Sequence, residues 1–189
     1  MAPDTLLLLE HPHTFTIGRR GEDSAVLMNE QQLRLRGVSI FHTNRGGKVT
    51  YHGLGQVVGY PIVNLSPDRE DVHKFVRDIE EVLIRTLADF SIPSFRIQGL
   101  TGVHTERGKV AAIGVHIARW VTTHGFALNV NTDLSFFDWI IACEGEPVTS
   151  MEVLTGRQLM LAEVEDRIAE NFSTVFDMAL ANVPSALQT

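Results

Sequence analysis

Apolar positions follow two rhythms along this chain. Val72, Phe75, Val76, Ile79, Val82, Leu83 and Leu87 recur at steps of three and four, the stripe of a helix laid against a sheet. Leu161, Val164, Ile168, Phe172, Val175 and Phe176 repeat that stripe near the C-terminal end, and both stripes read as core rather than cofactor sites. Shorter apolar runs read as strands: residues 5–9, bounded by Pro3 and by His11-Pro12, then 38–43 and 57–63. Residues 109–117 and 121–130, rich in β-branched and aromatic side chains, predict a hairpin turning at 118–120. Asn29 followed three residues later by Gln32, with Gly37 beyond, frames a brief helix, and Thr149-Ser150 predicts an N-cap for residues 151–154. Strands, a helix, more strands and a second helix predict an α+β fold, a mixed, mostly antiparallel sheet with flanking helices.

Composition narrows the class. With 189 residues, 44% hydrophobic and 21% charged, the chain is long enough for one sizeable core, and a single domain over residues 1–189 is expected. No apolar run approaches the eighteen or so residues of a membrane span, and no basic stretch precedes the opening leucines, so a cytoplasmic protein without a membrane partner is expected. A net charge of -7 argues against nucleic acid, which demands a concentrated cationic face.

Cys143 is the only cysteine, and it falls on a predicted loop rather than in an apolar run. A lone thiol forms no intramolecular disulfide, so any chemistry it performs is thiolate attack or redox sensing; the commoner role is a small buried apolar residue. The glycine-rich stretch from Arg45 to Gln56 lets a ligand lie against backbone N–H groups, yet it is neither a Walker loop nor a dinucleotide fingerprint. Tight turns are the plainer reading. Lys109 opens a buried-strand pattern, where a lysine usually snorkels to the surface. Within about 4 Å of a thiol, at an effective dielectric near 20, its charge would favour the thiolate by roughly 4 kcal/mol, a ceiling of about 3 pKa units. His52 and His124, each beside a glycine, compete with Lys109 as the base. No pair among the eight histidines has the spacing of a zinc protease, and no metal site is predicted.

Taken in order, these segments resemble the lipoyl(octanoyl) transferases. The resemblance rests on Glu10-His11-Pro12 with Thr16-Ile17-Gly18-Arg19, on Arg45-Gly46-Gly47 with Val49-Thr50-Tyr51-His52-Gly53, and on Lys109-Val110-Ala111-Ala112-Ile113-Gly114-Val115. It continues through Arg119-Trp120-Val121-Thr122, His124-Gly125-Phe126-Ala127-Leu128-Asn129-Val130 and Asp133-Leu134 to Cys143 and Val148-Thr149-Ser150. It implies a fold similar to the catalytic domain of lipoate and biotin protein ligases, no cofactor, and a two-step acyl transfer. Cys143 would take an octanoyl group from octanoyl-acyl-carrier protein and pass it to a lysine of lipoyl domains, those of 2-oxoacid dehydrogenases and the glycine cleavage H protein. Lys109 would lower the thiol's pKa and shuttle protons. Substrate contacts would fall on Arg45, Gly46, Gly47, Lys48, Val49, Thr50, Tyr51 and His52, on Ala112, Ile113 and Gly114, and on Gly125, Phe126 and Ala127.

The chain departs from the family pattern at Leu54, His104, Ala142 and Glu144, and it begins inside the usual family start. Glu144 is a carboxylate beside the nucleophile, which opposes thiolate formation. An ATP-dependent lipoate or biotin ligase, which needs no cysteine, and a catalytically silent acyl or carrier-protein binding module are the rival readings. Acyl-carrier proteins are acidic and so is this chain, so docking calls for a local cationic rim, for which Arg19, Arg20, Arg45 and Lys48 are the candidates.

Overall fold

Two sheets share the strands. The computed structural model describes residues 3–141 and 146–181. Strands β1 (Thr5–Leu9), β5 (Gln56–Ile62), β8 (Val121–Asn129), β7 (Gly108–Ala118) and β6 (Val103–Thr105) form an antiparallel sheet in the order β1-β5-β8-β7-β6. A smaller sheet, β3-β2-β4, joins β2 (Thr14–Ile17) in parallel to β3 (Ser39–His42) and antiparallel to β4 (Val49–His52). The expected mixed, mostly antiparallel character is present, with its parallel pair confined to the small sheet.

Helices α2 (Val72–Asp89) and α4 (Leu161–Phe176) pack against each other and against the large sheet. Phe75, Ile79, Val82, Leu83 and Leu87 from α2 meet Val164, Ile168, Phe172 and Phe176 from α4 in one core with Val57, Val110 and Leu128. Burying each such side chain contributes about 1.5–3 kcal/mol, which is why the apolar stripes specify where the helices lie. Two members of the predicted stripe do other things: Val72, in the first turn, is exposed, and Val76 faces a cavity. A second core lies under the small sheet, where Phe15, Ile17, Val49 and Tyr51 meet Leu33, Val38, Phe136 and Ile140.

Local signals act where the residues are most specific. Asn29 and Gln32 complete a reciprocal capping box at the start of α1 (Glu30–Leu35), and Gly37 leaves it at a φ of 67°. Ser150 caps α3 (Met151–Thr155) by accepting from the Val153 N–H. The β7–β8 hairpin turns on Arg119 and Trp120, both with positive φ, the requirement of a two-residue turn that matches strand twist.

Strands β2, β4 and β6 were not among the predicted elements. In β4 the alternation is complete, Val49 and Tyr51 inward, Thr50 and His52 less buried, but it sits between glycines that read as turns. Strand β6 spans three residues and is held by β7 and by Phe95, partners that no local pattern announces.

Gly59 and Gly125 let β5 and β8 approach closely. A methyl group on Gly125 would fall 2.0 Å from the Gly59 carbonyl oxygen, and one on Gly59 would fall 2.1 Å from the Phe126 ring. Gly125→Ala is therefore expected to cost about 1–3 kcal/mol through forced strand separation, seen as a lower Tm in thermal denaturation. An unchanged Tm would show that the strands accommodate the methyl group without strain.

Candidate functional site

A cavity of about 850 Å³ opens between the two sheets. Its walls carry Lys109 and every one of the expected substrate-side residues except Tyr51: Arg45 to Thr50 and His52 from the loop and β4, Ala112, Ile113 and Gly114 from β7, and Gly125, Phe126 and Ala127 from β8. Tyr51 instead packs into the second core. Fully buried, it stacks on Phe136 and hydrogen-bonds His13 Nδ1 at 2.7 Å, so it serves the second core. Burial, with the Asp133 charge in addition, pushes its phenol above the ordinary value.

Arg45 ties the glycine-rich loop down. Its side chain donates to the Thr16 hydroxyl, to the carbonyls of Thr16 and Lys48 and to its own neighbour Gly46. The Gly46 N–H donates to Val115 O at 3.0 Å, so the loop rests on β7. Gly114 permits that approach, since a Cβ there would meet Gly46 O at 2.8 Å. At 8% exposure Arg45 is a buried anchor rather than part of a cationic rim, whereas Arg20 and Lys48 reach the surface at the cavity mouth. Arg19 is exposed but does not line the cavity.

A chain of hydrogen bonds crosses the inner wall. The Gln56 amide nitrogen donates to Tyr51 O and to Asn129 Oδ1, and the Asn129 amide nitrogen donates to Thr149 O. The Gln56 oxygen, 2.9 Å from His52 Nδ1, therefore accepts from it, which assigns the proton to Nδ1. His52 Nε2 lies 3.3 Å from the Thr16 hydroxyl; that oxygen already accepts from Arg45, so its hydrogen serves the ring. Burial lowers the His52 pKa to about 4 against the favourable Gln56 bond, and the charge of Arg45 adds to the lowering. Both ring nitrogens are engaged and the ring is neutral at pH 7, so His52 is a fixed wall element. His124 sits in β8 with a φ of 60° and pairs Nε2 with Asn44 Oδ1 at 2.6 Å; burial first, then Arg45 and His116, lowers its pKa. His11, lowered by burial, pairs with the Tyr60 hydroxyl at 2.7 Å, and burial raises Tyr60 against the opposing charge of Arg45.

The opposite end of the cavity carries an ion pair. Lys109 Nζ lies 2.8 Å from Glu146 Oε2, and the same oxygen is 3.3 Å from His104 Nε2. Burial pushes the Glu146 carboxyl up, but the hydrogen bond and charge of Lys109, with His104 in support, outweigh it and leave it below the usual carboxylate range. Lys109 is also the point where the chain returns from residue 146: its N–H donates to Pro147 O at 2.8 Å and its carbonyl accepts from Thr149 N at 3.0 Å. Cys143 lies outside the described residues, as do Ala142 and Glu144. On the near side Ile141 N donates to Ala25 O at 2.7 Å.

Several wall residues were not singled out in advance. Glu146 is one charge in an acidic chain, and nothing in its spacing from Lys109 announces the pair. Glu80, 1% exposed on α2, accepts from Arg77, Arg96 and the Gly102 N–H, thereby fixing the 96–102 segment whose Gly99, Leu100 and Thr101 complete the wall. A glutamate inside a helical apolar stripe was the available signal for it. Among the described residues no cluster of three or more potential ligands fits a metal ion. No helix among them is long and apolar enough to cross a membrane.

The fold, a large antiparallel sheet beside a smaller mixed one, is shared with solved lipoate protein ligases. The bi-partite lipoate protein ligase of Thermoplasma acidophilum superposes with a TM-score of 0.77 over 96% of this chain and 74% of that one, at 16% identity. The chain belongs to the lipoyl protein ligase A/B catalytic domain family, whose model matches residues 1–173. It is 51% identical over 180 residues to an octanoyltransferase of Solibacter usitatus, covering 95% of this chain and 81% of that protein. An octanoyltransferase of Flavobacterium psychrophilum is 45% identical over 183 residues, covering 93% of this chain and 79% of its own length.

The buried neutral imidazole of His52 couples folding to pH. Unfolded, it binds a proton near the ordinary value of about 6.5; folded, it resists until about 4, so its contribution is complete above the unfolded value and lost as pH falls through that window. Denaturant titrations between pH 7 and 4 are expected to show stability falling with pH, less steeply in His52→Gln. Equal slopes in the two proteins would show that His52 is not a source of the acid sensitivity.

Proposed function

We propose that this chain transfers an octanoyl group from octanoyl-acyl-carrier protein to a lysine of lipoyl domains through a thioester on Cys143, opening protein lipoylation. The acceptors are the lipoyl domains of 2-oxoacid dehydrogenases and the glycine cleavage H protein; residues 1–189 act as one acyltransferase domain in the cytoplasm. The observation that carries this reading is the Lys109 side chain on the wall of a cavity of about 850 Å³ that has an apolar stretch, in a protein 51% identical to an octanoyltransferase. Val58, Ala112, Ile113, Phe126 and Ala127 give that wall its apolar stretch. Removing seven octanoyl carbons from water is worth roughly 6 kcal/mol gross at about 0.8 per methylene. Covalent connectivity supports the pairing of sulfur and amine: Cys143 precedes Glu146, itself bonded to Lys109, by three residues, a reach of at most about 11 Å.

In the first step the Cys143 thiolate, facing the Lys109 ammonium, attacks the donor thioester carbonyl to form a new C–S bond. The tetrahedral intermediate collapses by breaking the bond to the carrier-protein sulfur, which takes a proton from Lys109 and leaves as a thiol, so that Lys109 is now the neutral amine. In the second step the neutral amine of the acceptor lysine attacks the enzyme thioester, a C–N bond forms, and the C–S bond to Cys143 breaks. Lys109 takes the proton lost by the attacking amine, and the sulfur leaves as the thiolate facing the restored ammonium. No oxidant, metal or nucleotide enters the balance.

Intact-mass analysis tests the reading. Incubation with octanoyl-acyl-carrier protein is expected to add one octanoyl group, lost in Cys143→Ser and slowed about 10²-fold or more in Lys109→Ala. Acceptor modification that instead requires ATP and free octanoate would make the chain a ligase, and acyl binding without turnover would make it a binding module.

The cations at the mouth, Arg20 and Lys48, form the docking rim for the acidic donor. The double reversal to Glu is expected to raise KM for the carrier protein and weaken the salt dependence of kcat/KM. Unchanged kinetics at low and high salt would place the rim elsewhere.

A further inference from the structure

The Lys109 side chain does not face the cavity uncompensated. Glu146 Oε2 holds it at 2.8 Å, with 16% and 19% of the two side chains exposed. At that separation and burial the pair presents a dipole to its surroundings, a much weaker source of positive potential than a lone ammonium. His104, 2% exposed in β6, braces the carboxylate from the other side at 3.3 Å. Its Nδ1 is buried with no hydrogen-bond partner. The carboxylate thus has Lys109 as its nearer partner and His104 behind it, which fixes its direction. Among the described residues these are the groups that act on the Glu146 carboxyl.

We propose that Glu146 is a positioning residue of the acyl transfer, a counter-ion that aims the Lys109 amine and limits how strongly its charge favours the Cys143 thiolate. The inference rests on the proposed roles of Cys143 and Lys109. Its chemical purpose follows from the two-step balance: the same sulfur must be a nucleophile in the first step and a leaving group in the second. A thiol held far down the scale is a better leaving group but a poorer nucleophile, and attack is fastest when the thiol's pKa lies near the working pH. A carboxylate on the lysine moderates the thiol from a distance while leaving the amine able to hydrogen-bond.

Because Cys143 is the only cysteine in the chain, its ionisation is readable without turnover. The rate of iodoacetamide alkylation, measured by intact mass from pH 5 to 10, gives the thiol midpoint in the 189-residue chain. Glu146→Gln keeps the shape and a hydrogen-bond acceptor for Lys109 but removes the charge, and is expected to lower the midpoint by about one pH unit, the lower end of single-charge effects. Glu146→Asp, which keeps the charge, should stay near the wild type. Glu144, Arg45, Lys48, Tyr60 and the cavity histidines are the same in every variant, so they cancel in the comparison. Lys109→Met separates the two readings. If its midpoint does not rise, the pairing of Cys143 with Lys109 has failed. If it rises while that of Glu146→Gln stays put or also rises, the pairing stands and the positioning role of Glu146 is overturned. Far-UV circular dichroism and Tm identify any variant whose alkylation reports unfolding, and for such a variant the Asp substitution carries the comparison: a midpoint matching Lys109→Met would also overturn the proposal.

Discussion

The seating of Arg45 is the constraint on which the site depends. The two sheets share no strand, and each has its own apolar core, so something must fix the space between them. That task falls to a guanidinium bonded to Thr16 of the small sheet and to the carbonyls of its own loop, while the adjacent Gly46 N–H reaches β7 of the large sheet. Arginine suits this position because its fork of donors satisfies several carbonyls at once and stays charged when buried. Glycines flank it for a steric reason, since a side chain at Gly114 would strike the Gly46 carbonyl. The Arg45 loop thus ties the small sheet to β7, alongside the Gln56 bonds that join Tyr51 to Asn129. The field of Arg45 also reaches the ring of His52, the ring of His124 and the phenol of Tyr60.

Much of the fold was legible because it is written in long periodic stretches. The helices α2 and α4, the strand β1, the β7–β8 hairpin and the capped starts of α1 and α3 all follow from apolar spacing or from cap residues. The small sheet was harder to read. Phe15 and Ile17 in β2 lie in a stretch of threonines and a histidine, and Val49 and Tyr51 in β4 lie between glycine pairs, so neither run is long enough to display its period. Tyr51 shows the limit most clearly: it lies within the Arg45 to His52 segment that lines the cavity, yet it packs into the second core.

The site divides in the same way. The segments expected to touch substrate do converge on one cavity, because β7 and β8 are neighbours in one sheet and the Arg45 loop is laid across them. What could not be read was the company these residues keep. His52 and His124 were open alternatives to Lys109 as a base on the strength of neighbouring glycines. His52 has both nitrogens committed within the wall, and burial keeps both rings from protonating readily. Arg45 was assigned to the docking rim from charge alone, when its donors turn inward to carbonyls. Pairings across tens of residues, such as Lys109 with Glu146, have no sequence period at all and emerge only when strands are placed side by side.

These details combine into a consistent electrostatic picture of the cavity. Burial pushes His11, His52 and His124 toward the neutral form and Tyr60 toward the protonated one. The Arg45 charge is solvated by the carbonyl oxygens around it, which already point toward the cation. The Lys109–Glu146 pair also brings formal charges to the cavity wall, and it stands where the chain re-enters three residues after the sole cysteine. A wall of neutral rings and apolar strands lowers the local dielectric, so whatever charge remains there acts more strongly than it would in bulk water. The balance between Lys109 and Glu146 therefore shapes the field at that end of the cavity more than the same pair would at an exposed surface.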